Sequence, residues 1–332
     1  MEFSAYVVDR NASGEVRAAL ETVGVDNLPP GDVLIQAHWT SLNFKDALAA
    51  TGNPGVVRRF PHIPGIDVAG VVANVTSPEG GSPFSPSTEV LVTGYDLGAG
   101  RWGGWSQYVR VPREWVVARP AKLPLREAMV LGTAGFTAAM CVEALLHHEV
   151  FPAKGEVVVT GATGGVGCLA LMLLAKLGYR VVAVTSKTGC HDKLREWGAS
   201  EILPREAVID ASGKPLLSAR WAGVVDTVGG NTLATLVRQT RLGGCIAACG
   251  LVGGTDVSLT VHPFILRGVT LAGIDSAWCP AEKRKQIWSK LSDEWRLEKL
   301  DSVTTETELR NIDPFVPRIL AGEIAGRTVI KI

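Results

Sequence analysis

Short apolar runs separated by glycine and proline fill the first third of the chain, at residues 33–38, 68–75, 89–93 and 108–112. Turn signals at regular intervals between such runs predict the strands of a β barrel or sandwich. The segment 77–87, rich in Ser, Pro and Gly, reads as a surface loop. Near Pro120 the pattern changes to alternating strands and helices. Residues 157–160, 180–185, 223–226, 245–249 and 269–273 read as strands, and 167–177 and 191–198 as helices. Apolar strands alternating with helices predict a parallel sheet covered on both faces. The C-terminal run from Gly326 to Ile332 reads as a strand returning to the first domain.

A chain of 332 residues suits two domains, at roughly 100–200 residues each. Lys plus Arg equals Asp plus Glu, at 33 each, so the balance favours neither nucleic acid nor a membrane surface as partner. The longest apolar stretch, 166–177, is interrupted by Lys176, so no segment reads as spanning a membrane. The N-terminus lacks a basic region followed by an apolar run. The six cysteines form no Cys-x-x-Cys pair and read as reduced thiols. The expected location is the cytoplasm.

The strongest motif runs from Val157 to Gly167, Val-Val-Val-Thr-Gly-Ala-Thr-Gly-Gly-Val-Gly. A strand enters a glycine turn and leaves into a helix, the context a dinucleotide fingerprint requires. Its glycines, 161, 164 and 167, depart from the strict G-x-G-x-x-G spacing. Such a turn lets the backbone approach a pyrophosphate at a helix N-terminus. At the end of the second strand an NAD site places an acid on the ribose 2′-hydroxyl. Here the chain reads Thr185-Ser186-Lys187. No carboxylate repels a 2′-phosphate, Ser186 offers a donor and Lys187 a charge. Arg205 is a candidate second cation. The expected cofactor is therefore NADPH.

Several segments together resemble the medium-chain dehydrogenase/reductase superfamily. They are Ser41-Leu-Asn-Phe-Lys-Asp-Ala-Leu48, Pro61-His-Ile-Pro-Gly-Ile-Asp-Val-Ala-Gly70, Leu131-Gly-Thr-Ala-Gly-Phe-Thr-Ala138 and Asp226-Thr-Val-Gly229. With Gly243–Leu251 and His262–Gly268 added, the set is most similar to the zinc-free quinone-oxidoreductase-like branch, and within it to the NADPH-dependent acryloyl-CoA reductases. The resemblance implies an α/β protein: a GroES-like β-rich catalytic domain plus a Rossmann, doubly wound parallel-sheet domain. It places the first at residues 1–120 and 300–332 and the second at 121–299. It also implies a homodimer, and a cleft between domains that holds the nicotinamide. By position, Ala162, Thr163, Gly164, Gly165 and Val166 would hold the pyrophosphate. Thr185, Ser186, Lys187 and Arg205 would hold the 2′-phosphate. Leu251 and Ser276 would lie near the nicotinamide half, and Arg327 would reach the cofactor. Phe44 stands where the family often has Tyr; its ring can pack against the cofactor but has no hydroxyl.

Zinc members of the superfamily use a cysteine and a Gly-His-Glu motif where this chain has Asn43 and Gly65-Ile66-Asp67. Ile66 has no ligating atom and Asn43 is no thiolate, while catalytic zinc normally takes three protein ligands of the His, Cys or carboxylate type. No metal is therefore expected. An activated double bond suits such a site: hydride goes to the β carbon, and the carbonyl oxygen then needs a hydrogen-bond donor. Asn43 is the candidate donor, to the substrate carbonyl or to the cofactor ribose. Asp46 is expected to fix the loop rather than to donate a proton. No residue stands out as general acid, so solvent remains a proton source. Asp226-Thr-Val-Gly229 reads equally as a cofactor contact and as a capped turn.

The leading expectation is reduction of acryloyl-CoA to propionyl-CoA, with Arg58, Arg59, Lys45 and Arg101 as a possible landing place for the CoA phosphates. The alternatives are an NADPH quinone or alkenal oxidoreductase, and a non-catalytic NADPH-binding sensor.

Overall fold

The computed structural model describes residues 1–76 and 83–332. Residues 77–82 of the segment expected to form a surface loop lie outside the described residues. In chain order the first elements are β1 (Glu2–Arg10), β2 (Val16–Gly24), β3 (Val33–Leu42), α1 (Phe44–Ala50), β4 (Asp67–Val75), β5 (Glu89–Thr93), β6 (Tyr108–Val111), β7 (Val117–Ala118) and α2 (Leu125–His147). Then come β8 (Val157–Val159), α3 (Gly165–Lys176), β9 (Val181–Val184), α4 (His191–Glu196), β10 (Ala199–Leu203), β11 (Trp221–Asp226), α5 (Gly230–Gln239), β12 (Thr240–Ala248), α6 (His262–Arg267) and β13 (Thr270–Gly273). The chain ends with α7 (Ala281–Ser292), β14 (Thr304–Glu308), α8 (Phe315–Leu320) and β15 (Arg327–Lys331).

Two compact units result. The first comprises Met1–Thr133, Ala277–Asp293 and Val303–Ile332. Its seven-stranded sheet runs β14-β15-β3-β4-β5-β7, with β6 also paired to β3, and β1 and β2 form a separate antiparallel hairpin. The alternating pattern of β3 and β4 turns Val33, Ile35, Val68 and Val72 into one core with Val90 and Val92. A second core gathers Phe3, Tyr6, Leu42, Ile63 and Trp105 with Ile330. The C-terminal strand does return to this sheet: β15 pairs antiparallel with β3, Val329 opposite Ser41.

The other unit comprises Ala134–Ser276 and Glu294–Ser302. Its sheet is parallel throughout, in the order β10-β9-β8-β11-β12-β13. All four residues of β9 are buried, as expected of a strand covered on both faces. The order reverses between β8 and β11, the point where such sheets bind ligands.

Two expectations need correction. The expected domain borders at 120/121 and 299/300 place residues 121–133 and 277–293 with the parallel sheet, whereas both segments pack in the β-rich unit. For α7 the anchor is Arg284, buried at 1% exposure. It donates to the Thr93 carbonyl at 2.7 Å and to the Ala277 carbonyl at 2.9 Å, and lies over the Tyr95 ring. The apolar stretch at 166–177 is also not the longest. By length and composition α2 is long and apolar enough to cross a membrane; it is mostly buried in the protein and is broken at Gly132.

Candidate active site

In the parallel-sheet unit the site grows from the turn after β8. Gly161 has φ 55°, and a Cβ there would come within 2.3 Å of Thr227 Oγ1. Gly164 caps α3 in an extended conformation, φ −77° and ψ 171°. Gly167 sits so close that a Cβ would lie 2.3 Å from the Gly161 carbonyl oxygen. Only glycine lets the helix descend this tightly on its own turn, which leaves the first N–H groups of α3 at the carboxyl edge of the sheet. Gly164, Gly165 and Val166 are partly exposed there, while Ala162 and Thr163 are buried. Ala162 acts through its backbone, donating to the Val184 carbonyl at 3.1 Å.

The ends of β9 and β10 lie beside this turn. Thr163 and Thr185 hydroxyls are 3.4 Å apart, and Thr185 Oγ1 accepts the Lys187 N–H at 3.0 Å. Ser186 is exposed, Lys187 half-buried and Arg205 exposed. Val184 pairs with Leu203, so Lys187 and Arg205 follow adjacent strand ends.

Beyond β11, Asp226 is fully buried. It accepts the Thr160 hydroxyl at 2.8 Å and the Gly229 N–H at 2.7 Å. Burial pushes its carboxyl above the usual range. Thr227 donates its hydroxyl to the Thr160 carbonyl at 2.9 Å and its N–H to the Thr160 hydroxyl at 3.0 Å. This segment is therefore a buckle across the switch point rather than an exposed contact. Past β12, Leu251 is 63% exposed, and past β13 the Ser276 hydroxyl accepts that of Thr137 at 2.7 Å. The residues expected around the cofactor from Ala162 to Ser276 therefore share one edge of one sheet.

The β-rich unit holds a second constellation. Asn43 precedes α1, and its N–H donates to Asp46 Oδ2 at 2.7 Å. Asp46 Oδ1 accepts the Ile66 N–H at 2.7 Å, which ties α1 to the start of β4. The Asn43 amide donates to Asp46 Oδ2 at 3.0 Å, to Asp67 Oδ2 at 2.8 Å and to Ser41 Oγ at 3.1 Å. Its Oδ1 accepts from Arg327 Nη1 at 3.1 Å. Asp67 also accepts the Ser41 hydroxyl at 2.6 Å and the Thr133 hydroxyl at 2.5 Å. Burial first, and then the Asp67 charge, push the Asp46 carboxyl up to about 7, against the N–H donors that favour its ionised form.

This geometry corrects two expected roles. Asn43 is no open donor, because its amide hydrogens already face two carboxylates. Arg327 is 2% exposed and donates to the Val130 carbonyl at 2.8 Å and the Leu42 carbonyl at 3.4 Å, so it braces its own unit instead of presenting a guanidinium to a cofactor. Asp46 does fix the loop. Phe44, on the same turn, is 39% exposed. Residue pattern alone does not single out Asp67 or Thr133; only the superfamily segments that contain them, Pro61–Gly70 and Leu131–Ala138, point near them. Among the described residues, no group of three or more His, Cys, Asp or Glu side chains is placed to hold a metal ion.

The two units are the architecture of a GroES-like domain combined with a Rossmann domain, and residues 29–121 match the alcohol dehydrogenase GroES-like domain while 165–293 match the zinc-binding dehydrogenase family. The chain belongs to the medium-chain dehydrogenase/reductase superfamily. More particularly, it is 46% identical over 319 residues to a probable acrylyl-CoA reductase, AcuI, of Escherichia coli K12, covering 96% of this chain and 97% of that one. It is 42% identical to the putative quinone oxidoreductase YhfP of Bacillus subtilis, over 99% of both chains. The structure of the Bacillus subtilis protein with NAD bound superimposes with a TM-score of 0.95 over 100% of both chains. The yhdH oxidoreductase of Salmonella enterica, solved in complex with NADP, is 43% identical and superimposes with a TM-score of 0.94, again over 100% of both.

Proposed function

We propose that this chain reduces an activated carbon–carbon double bond with hydride from NADPH, and that its substrate is acryloyl-CoA, giving propionyl-CoA. The observation that carries the cofactor reading is the strand-end crevice. The glycine cradle that any Cβ would fill suits a pyrophosphate, and Ser186, Lys187 and Arg205 beside it suit a 2′-phosphate. Thr163, Gly164, Gly165 and Val166 would hold the pyrophosphate, and Leu251 and Ser276 would border the nicotinamide half. Phe44 would pack against it. The full-length likeness to a probable acrylyl-CoA reductase supports the substrate class.

When bound, the dihydronicotinamide supplies the hydride. The thioester carbonyl withdraws electrons, so the terminal carbon accepts hydride while charge moves to the carbonyl oxygen. The α carbon then takes a proton from solvent. The chain's own contribution is to hold the reactants and the loop. Asn43, Asp46 and Asp67 fix the first turn of α1 and thereby the exposed Phe44 ring. Lys45, Arg58 and Arg59 are exposed and would meet the CoA phosphates, whereas the Arg101 guanidinium is engaged by the Pro30 carbonyl.

A homodimer fits the same reading. Among the described residues no further strand lies beside the β13 edge of the parallel sheet, and Ile265, Leu266 and Leu271 nearby are exposed at 71%, 58% and 38%. An apolar edge of this kind is suited to pairing with a second copy.

The test is NADPH oxidation by one preparation with acryloyl-CoA, crotonyl-CoA, a small quinone and no acceptor. Acryloyl-CoA should give the highest kcat/KM. Equal or better turnover of crotonyl-CoA, or turnover of the quinone alone, would overturn the acryloyl assignment. NADPH binding without any turnover would favour a sensor.

A further inference from the structure

One face of α2 crosses the parallel sheet from beyond the carboxyl end of β13 to the amino half of β11. Thr137 bonds to Ser276 beyond β13 at 2.7 Å. Two turns later Leu145 lies over β11, where a Cβ on Gly223 would come within 3.1 Å of its Cδ2. Cys141 is four residues from each, so it shares their face. Between those two strands lies β12, and Cys249 follows its last residue, Ala248. That placement sets the Cys141 thiol beside Cys249, and the Cys249 side chain together with burial raises the Cys141 thiol well above its usual range. The Cys249 thiol donates to the Asp226 carbonyl at 3.4 Å. Both cysteines are free; Cys141 is buried and Cys249 partly exposed.

We propose that Cys141 and Cys249 are a thiol–disulfide modification site, oxidised by a hydroperoxide, and that closing the bond weakens binding in the strand-end crevice. The geometry leaves the next residues no slack. Gly250 is packed so that a Cβ would lie 2.0 Å from the Thr227 carbonyl oxygen, and Gly229 approaches the Gly250 oxygen and Leu251 Cα as closely as 2.9 and 3.1 Å by the same measure. A disulfide brings its sulfurs to about 2.05 Å, well inside the contact distance of two thiols. That movement displaces Gly250 and Leu251 against the buckle at Thr227, which also walls Gly161.

The roles follow from access. Cys249 is the sulfur a solute can reach. It attacks the peroxide, forming an S–O bond as the O–O bond breaks, and an alcohol or water leaves with the thiol proton. The Cys141 sulfur then attacks Cys249: the S–S bond forms, the S–O bond breaks, and the oxygen leaves as water with the Cys141 proton. Two thiols lose two electrons and the hydroperoxide gains them. Cys249 and burial together hold the Cys141 thiol well above its usual range, so Cys141 is not the sulfur that attacks the peroxide first.

The bond itself does not depend on the reductase reading; its effect on the crevice does. The full chain is treated with a small excess of hydrogen peroxide and mapped as peptides without reduction. The expected product is one linked peptide pair, Cys141 to Cys249, lighter than the two thiols by two hydrogens. NADPH affinity, read by fluorescence with no acceptor present, should fall at least about tenfold, or 1.4 kcal/mol, and dithiothreitol should restore it. Cys249→Ser and Cys141→Ala should each bind NADPH normally when reduced and lose the peroxide response, while Cys190→Ser should keep it. Oxidation of Cys249 only to the sulfenic or sulfinic acid, or a disulfide between other cysteines, overturns the site. If either variant fails to fold, the map of the wild-type chain still decides. The linked pair with unchanged NADPH affinity overturns the proposed consequence.

Discussion

Asp67 accepts hydrogen bonds from both the backbone N–H and the hydroxyl of Thr133, at 3.0 and 2.5 Å. The bond exists because α2 breaks one residue earlier, at Gly132, with φ 49° and ψ −153°. The break frees the Thr133 N–H from a helical partner, and the buried carboxylate takes its place as a cap. Gly132→Ala should therefore be costly. Its Cβ would lie 2.5 Å from Asp67 Oδ2 and 3.1 Å from Arg327 Nη2, and both side chains are buried and already bonded. The backbone conformation alone costs a non-glycine residue about 1–3 kcal/mol, and the clash adds to that. Urea unfolding should show a markedly lower midpoint with an unchanged m-value. A midpoint equal to wild type would mean that the break can relax.

Asp46 makes stability depend on pH in an unusual direction. Its folded value is raised to about 7, above that of an ordinary carboxyl. Well below both values the folded and unfolded chains both hold the proton and the contribution is constant. Between them the folded chain keeps a proton that the unfolded chain has released, so stability falls as pH rises, by at most about 1.4 kcal/mol per pH unit. Above about 7 the loss is complete. Asp46→Asn should flatten this slope between about pH 4 and pH 7. It should also lower stability at acid pH, by about 1–3 kcal/mol, because an amide offers one acceptor where the carboxyl meets the Asn43 and Ile66 N–H groups. Parallel urea series on both proteins check this; identical slopes would assign the pH dependence elsewhere.

Lys187 should set the choice between the two nicotinamide cofactors. It stands at the end of β9 with Ser186, where an acid would select NADH. A charge-assisted phosphate contact contributes about 1.5–3 kcal/mol, or one to two decades in affinity. Lys187→Glu should thus raise the KM for NADPH by that factor and leave NADH nearly unchanged. Similar kcat/KM for both cofactors in the wild type would refute the assignment.

Different regions of this architecture are legible in the sequence for different reasons. The glycine turn can be read because Gly161 has a positive φ and sits against the Thr227 side chain, while Gly167 sits against the backbone of Gly161. Strands such as β3, β4, β8 and β9 announce themselves as apolar runs, whereas β14, Thr-Thr-Glu-Thr-Glu, does not. The β1–β2 hairpin does not, since most of β2 is exposed or half-exposed and lacks a continuous apolar pattern. The long helix α2 is hidden by the Gly-Thr-Ala-Gly run at 132–135, which has the composition of a loop and does break the helix at Gly132. Arg284 gives no signal that it is buried, because its acceptors are carbonyls that any residue could supply. Asn43 is a donor, as its residue type suggests, but residue type does not say which groups accept. Asp67 and Thr133 lie far apart in the chain, and no local pattern links them.

The last expectation concerns Asn43, whose residue type suggests a donor to the reacting carbonyl and whose contacts suggest a brace. The two roles predict different things for Asn43→Ala. A donor to the transition state would lower kcat while leaving the folded chain as stable as before. The brace bridges Asp46, Asp67 and Arg327 at 3.0, 2.8 and 3.1 Å, so its loss leaves two buried carboxylates closer to unscreened and one guanidinium short of an acceptor. Leaving buried polar groups unpaired costs about 1–3 kcal/mol, so the urea midpoint should fall together with activity. A second signature separates the roles further. The Asn43 amide favours the ionised form of Asp46. Without it the proton should be held more tightly, and the pH range over which stability declines should move upward relative to wild type. A variant with lower kcat, an unchanged urea midpoint and an unchanged pH range would return Asn43 to the role of direct donor.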